Sequence, residues 1–240
     1  MANKIKIDNA LLKRQQLKTA KKHKKKKVLC RILIVCEGQS TEPNYFRKFC
    51  LKENIPFVYE VDCRGEGSNT LSVVDAAIKY KQEAEKLTPF DSVWAVFDRD
   101  NFPKDRFNAA IAKAEAHGVD VAWSNEAFEL WYLYHFINRT TAMNRDDYKE
   151  AISKAVNSSG KWKKAKPYKY AKNDEAAYEI MTRCGNLEQA IRWAQKQHEK
   201  FTGKRYADYN PCTLVYKLVE QLMNRDELLI DKVMKKIHML

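Results

Sequence analysis

The chain has 240 residues and a mass of 28.1 kDa, enough for one sizeable core or a domain with an extension. Its 45% hydrophobic content and five Trp argue for independent folding, and no run approaches the roughly 18 apolar residues of a spanning helix, so a membrane span is not expected. The formal charge of +13 points to a polyanionic partner, while six cysteines without a Cys-x-x-Cys pair argue against a structural zinc site.

That charge is unevenly spread. Residues 1–31 carry twelve Lys or Arg against one acid, Asp8, a net +11 that leaves +2 for the other 209 residues. Ile7, Leu11, Leu12 and Leu17 recur at helical spacing and predict a short helix over 8–19. The block from Lys21 to Lys27 follows, and Lys24, Lys25, Lys26 and Lys27 are placed to neutralise a phosphate backbone without reading sequence. A solvated tail, docked on this or a neighbouring subunit, is the alternative. The block lacks an adjacent signal-type apolar core, so a cytoplasmic protein with reduced thiols is expected.

Ile32 to Cys36 is a continuous apolar run typical of a parallel strand covered on both faces. It ends in Glu37-Gly38, after which Ser40 or Thr41 can cap a helix over 42–52 with Pro43 in its first turn. A strand over 57–63 leads into Arg64-Gly65-Glu66-Gly67-Ser68-Asn69, read as an ordinary turn with a phosphate-cradling loop as the alternative. A helix over 71–86 precedes a second buried strand, Val93 to Phe97, which ends in Asp98 and Asp100 and breaks at Asn101-Phe102-Pro103. A helix over 104–117, Gly118 and a strand over 119–123 follow. This alternation predicts an α/β fold, a mostly parallel sheet with flanking helices. In such sheets ligands bind outside the carboxyl ends of the strands. Glu37 ends one strand and Asp98 and Asp100 end another, so adjacent strands bring all three to one crevice, a hard-oxygen site suited to Mg²⁺ or Mn²⁺. Asp-x-Asp alone reads more readily as turn and capping residues.

Ser124 or Asn125 can cap the next helix, which is apolar nearly all round through Ile137 and therefore buried. Glu129 lies one turn into it, and a buried carboxylate needs an ion-pair partner, a proton or a metal. His135 is read as a satisfied core histidine with a proton shuttle as the alternative, and Asn125 as a cap, a substrate contact or both. From about residue 140 the pattern turns helical, with helices over 146–156, 174–184, 187–200, 212–223 and 226–238. Between the first two lies a stretch with Lys163, Lys164 and Lys166 among aromatics, arranged for lysines to meet phosphates while rings stack on bases. Loop lysines in solvent are the alternative. The organisation expected is a basic arm (1–30), an α/β catalytic domain (31–140) and a helical extension packed on it (141–240). No Walker A sequence or Rossmann fingerprint is present.

Several of these stretches together resemble the RloB-like proteins, a Toprim-related bacterial family associated with defence loci. They are Ile34-Val35-Cys36-Glu37-Gly38-Gln39-Ser40-Thr41-Glu42-Pro43-Asn44-Tyr45-Phe46, Phe97-Asp98-Arg99-Asp100, Ser124-Asn125-Glu126-Ala127-Phe128-Glu129-Leu130-Trp131 with His135-Phe136, and Asn210-Pro211-Cys212-Thr213. The resemblance runs from residue 31 to about residue 220. More broadly, the strand-ending glutamate followed by glycine and the later Asp-x-Asp resemble the Toprim catalytic domain of topoisomerases, bacterial primases and OLD-type nucleases. The resemblance implies Mg²⁺ or Mn²⁺ on Asp98 and Asp100, with Glu37 as a further ligand or general acid/base and Glu129 completing a second site. It implies phosphodiester hydrolysis of DNA or RNA, including tRNA, in a bacterial defence role, beside an AAA-type or ABC-type ATPase as sensor. No tyrosine is singled out as a topoisomerase-type nucleophile. A Toprim-like module that binds nucleotide or nucleic acid without cleaving it is the alternative, as is an interaction protein that binds nucleic acid through its lysine arm. The oligomeric state is not readable from the residues.

Overall fold

The computed structural model describes residues 30–52, 59–65, 70–223 and 225–238. The basic arm up to residue 29, with its predicted helix and Lys24 to Lys27, lies outside them. So do residues 66–69 of the glycine turn and the first residues of the strand expected from 57.

Five strands form one sheet: β1 (Cys30–Cys36), β2 (Tyr59–Gly65), β3 (Ser92–Asp98), β4 (Asp120–Asn125) and β5 (Cys212–Thr213). Their order is β2-β1-β3-β4-β5, with the first four parallel and β5 antiparallel to β4. The apolar runs explain the centre. β1 is buried at every position except Arg31, and β3 at every position after Ser92, as expected of strands covered on both faces. The first helices are α1 (Thr41–Lys52), α2 (Thr70–Glu85) and α3 (Lys104–Ala116). The chain moves outward from β1 to β2 and then back past β1 to β3. Right-handed crossovers therefore put α1 on one face and α2 with α3 on the other. The reversal point lies between β1 and β3, where open α/β sheets bind ligands. Register brings the two strand ends level: Cys36 stands opposite Val96, and the Glu37 N–H extends the ladder to the Val96 carbonyl at 2.8 Å.

The remaining helices are α4 (Glu129–Tyr134), α5 (Tyr148–Ser158), α6 (Ala177–Cys184), α7 (Leu187–His198), α8 (Val215–Leu222) and α9 (Glu227–His238). The C-terminal part is helical, as expected, but it also supplies β5. Residues 212–213 fall within a predicted helix, and a two-residue strand has no periodicity to reveal it. They pair with Ser124 and Asn125, and the Ser124 and Thr213 hydroxyls share a 2.8 Å hydrogen bond. Trp94 of β3 donates its indole N–H to Gln221 of α8 at 2.7 Å, a second buried tie between the sheet and the C-terminal helices. α4 is shorter than expected because backbone bonding tightens to residue i−3 at His135 and Phe136.

Gly65 ends β2 where a side chain has no room. A Cβ there would stand 2.7 Å from the Gln39 Cα and 2.7 Å from the Gly38 carbonyl oxygen. This close backbone approach seats the turn that carries Glu37 against the edge of the sheet.

Candidate active site

Glu37 follows β1 directly. Its Oε2 accepts a hydrogen bond from the Asp98 backbone N–H at 3.3 Å, which ties the ends of the two central strands together. Burial raises its pKa; the bond from Asp98 opposes the rise, as do Arg145 and Lys172.

Asp98, the last residue of β3, is 8% exposed. Its pKa is raised well above the ordinary carboxylate value, first by burial and then by the charges of Glu42, Glu129 and Glu37. The Thr70 hydroxyl at the start of α2 donates to the Asp98 carbonyl at 3.4 Å, which brings the positive end of that helix to the same point.

Asp100 goes elsewhere. Had β3 continued, its side chain would lie on the same face as that of Asp98. The strand stops at Asp98, however, and Asp100 adopts φ 45°, the left-handed region that non-glycine residues seldom enter. Its half-buried carboxylate pairs with the Arg145 guanidinium. The two carboxylates of Asp-x-Asp therefore diverge.

Glu42, in the first turn of α1, is the residue that sequence reasoning missed. It is 5% exposed, and its Oε2 has no hydrogen-bond partner among the described residues. Burial raises its pKa, opposed by a hydrogen bond from its own backbone N–H; Glu129 then adds to the rise. An acidic residue in a first helical turn is ordinary macrodipole chemistry, which hid it. The available signal was the neighbouring glycine. A Cβ on Gly38 would stand 2.1 Å from Glu42 Oε2, so the residue after Glu37 leaves space for a second carboxylate.

Glu129 is buried at the start of α4 and accepts a hydrogen bond from the Tyr170 hydroxyl at 3.0 Å. Tyr170 belongs to the lysine-rich stretch, which crosses the crevice and is pinned again where Thr41 Oγ1 donates to the Lys172 carbonyl at 2.5 Å. The charges of Lys172 and Arg145 partly offset those of Glu37 and Glu42. Replacing Tyr170 by Phe removes the one side-chain donor to Glu129 among the described residues and is expected to cost about 1.5–3 kcal/mol of stability, the range for hydrogen bonds to charged groups. Urea unfolding at neutral pH measures it; an unchanged midpoint would mean that Glu129 does not depend on this bond.

Four carboxylates thus share one electrostatic environment: Glu37, Glu42, Asp98 and Glu129. Among the described residues no three acidic, His or Cys side chains stand close enough to hold a metal ion as placed. The donor chemistry nevertheless fits a hard divalent cation, with carboxylate oxygens, excess buried negative charge and an unsatisfied Glu42 oxygen. Asp98 and Glu42 are the residues that would hold it, with Glu37 beside them.

A family model described as RloB-like protein matches residues 32–222. The chain belongs to the RloB-like family. No curated protein and no solved structure shows significant similarity to it. The match begins within β1 and ends at the last residue of α8, so it takes in every site residue named above.

In this RloB-like chain the other sequence candidates are dispersed. Asn125, buried at the end of β4, donates through Nδ2 to the Ala207 carbonyl at 3.1 Å and so fastens a C-terminal loop. His135 lies beyond the far end of α4 from Glu129, with Nδ1 3.0 Å from the Trp131 carbonyl oxygen. Lys163, Lys164 and Lys166 are exposed. The aromatic partners expected of them are mostly occupied. Tyr168 and Tyr170 are each 6% exposed, and Tyr168 donates to Asp174 at 2.7 Å. Only Trp162 remains half-exposed, with Lys164 and Arg183 over its ring at 5.2 and 5.6 Å. Base stacking by all three rings is therefore corrected: packing claimed two of them. The Asn210–Pro211 bond is cis and leads directly into β5. Cys50, Cys184 and Cys212 are free thiols, and burial pushes Cys50 and Cys212 up to about 12. Among the described residues no helix is long and apolar enough to cross a membrane.

Proposed function

We propose that this RloB-like protein is a Toprim-related, metal-dependent nuclease that hydrolyses phosphodiester bonds in DNA or RNA. The observation that carries this reading is the convergence of Glu37, Glu42, Asp98 and Glu129 at the reversal point between β1 and β3, beneath a lysine-bearing segment. Bound Mg²⁺ or Mn²⁺ would supply charge neutralisation at the phosphodiester and acidify water. Asp98 and Glu42 would hold the cation, and Glu129, oriented by Tyr170, would complete the acidic wall. Lys172 and Arg145 draw the phosphate backbone to the crevice, and Lys163, Lys164 and Lys166 extend that attraction along the exposed strap. Lys24 to Lys27 add sequence-independent affinity. Glu37, its pKa raised by burial, takes the proton of the attacking water. The water oxygen bonds to phosphorus as the bond from phosphorus to the sugar oxygen breaks.

The family resemblance extends the proposal to a cytoplasmic effector in bacterial antiviral defence, beside an AAA-type or ABC-type ATPase that senses infection. The test is incubation of wild type and Asp98→Ala with mixed DNA and total tRNA in Mg²⁺, Mn²⁺ or EDTA, alone and after co-expression with the neighbouring ATPase. Metal-dependent products from wild type alone are expected, and their identity names the substrate. Binding without products in every condition would instead assign the acidic crevice to a non-catalytic nucleotide- or nucleic-acid-binding module.

A further inference from the structure

A second cavity, of about 640 Å³, opens between the C-terminal end of α4, helix α5 and the turn from α6 to α7. Its volume falls within the roughly 300–1,000 Å³ of small-ligand sites. Neither its position nor its lining belongs to the acidic crevice. His135 lines it, one residue beyond the helix that begins with Glu129, about 9 Å away along the helix axis.

The lining has a definite chemistry. No Asp or Glu contributes to it, whereas Arg139, Lys154 and Lys161 do. Arg139 is held by the carbonyls of Thr141 and Ala142 at 2.7 and 2.9 Å, and Lys161 reaches the Gly185 carbonyl at 3.2 Å. Lys154 is exposed and has no carboxylate partner among the described residues. Such a site selects an anion. The wall is apolar: Phe136 and Met143 are half-buried, and Ile137 is 45% exposed, unusual for an isoleucine unless something covers it.

His135 supplies the polar element. It is 1% exposed, and its Nδ1 lies 3.0 Å from the Trp131 carbonyl oxygen, which can only accept. Nδ1 therefore carries the hydrogen. Nε2 is left as a bare acceptor with no partner among the described residues. Burial pulls the imidazole pKa down to about 4, so the neutral tautomer holds at physiological pH. Nε2 is sealed from solvent, so the cations and the apolar wall define the lining: an occupant must offer an anionic group and a flat or apolar body.

We propose that this cavity binds a free nucleoside phosphate, with its phosphates on Lys154 and Lys161 and its base against the apolar wall. Stacking on Phe136 supplies the contact to the base.

The test is calorimetric titration of the full chain with ATP and GTP in EDTA, which removes divalent cations from the acidic crevice. Saturable binding is expected, weaker by about tenfold or more in Lys154→Glu/Lys161→Glu and unchanged in Asp98→Asn. Both lysines are exposed, so the double variant keeps its fold, checked by an unchanged melting temperature without ligand. Adenosine alone and inorganic phosphate alone are each expected to bind more weakly than ATP. Absence of nucleotide binding at millimolar concentration would overturn the proposal. So would binding that survives the charge reversals, or that disappears in Asp98→Asn. Tighter binding of a 5′-phosphorylated oligonucleotide than of any mononucleotide would overturn it too, assigning the cavity to a strand end.

Discussion

Replacing Asp98 by Asn is expected to abolish metal-dependent cleavage and at the same time to raise the melting temperature at neutral pH. Asn keeps the shape of the side chain but removes a buried charge that faces Glu42, Glu129 and Glu37. The loss of activity follows if Asp98 holds the cation: several kcal/mol of transition-state stabilisation corresponds to about a thousandfold in rate. The gain in stability follows from the raised pKa. The folded state holds this proton more tightly than the unfolded state, so the associated stability is fully present below the ordinary carboxylate range. It is lost as pH rises through the folded value. As pH rises through that value the wild type loses it, whereas Asn keeps a neutral group throughout. The expected gain is about 1 kcal/mol, or about 2–4 °C for a chain of this size, shrinking towards zero as pH falls below the carboxylate range. Thermal melts across pH measure it, and added Mg²⁺ should narrow the gap by stabilising wild type alone. An Asp98→Asn protein that melts lower at neutral pH and still cleaves would remove Asp98 from the site.

The second large effect separates Glu42 from Asp100. The motif favours Asp100, whereas the structure favours Glu42, which lies among the buried carboxylates while Asp100 pairs with Arg145. Glu42→Gln is expected to lower cleavage by about a hundredfold or more, with a higher requirement for Mg²⁺. Asp100→Asn breaks a partly exposed ion pair, worth about 0–1 kcal/mol, and is expected to lower activity by less than tenfold. Parallel metal titrations of the two variants decide; a larger loss for Asp100→Asn would restore Asp-x-Asp as the metal-binding pair. Gly38→Ala gives an independent check. Its φ lies outside the left-handed region, so alanine fits the backbone, but its Cβ displaces the Glu42 carboxylate. It should reproduce the defect of Glu42→Gln with its circular dichroism and melting unchanged; full activity would mean that Glu42 can shift without consequence.

The RloB-like motifs pointed to the edge of the sheet where Glu37 and Asp98 meet because that placement is written locally. Apolar runs ending at Glu37 and Asp98 identify buried parallel strands, and a parallel sheet presents the ends of its strands on one side. Membership of the site was less legible. Glu42 was hidden because it reads as a favourable helix-start charge, and Tyr170 because it reads as one more ring in a basic loop. The divergence of Asp100 from Asp98 was not legible because a one-residue spacing implies a shared face only while the strand continues, and β3 stops at Asp98 itself.

The sequence by itself determined the four parallel strands, the alternation that makes the sheet mostly parallel, and the two carboxylates at the ends of its central strands. These depend on burial periodicity and turn chemistry, which act over a few residues. Only the tertiary structure decided which acids share a field, that residues 161–172 cross the crevice, and that Cys212 and Thr213 complete the sheet. Each of these rests on contacts between residues far apart in the chain, Thr41 with Lys172, Glu129 with Tyr170 and Ser124 with Thr213. Local sequence carries no record of such pairings, because they are selected by the packing of the whole chain.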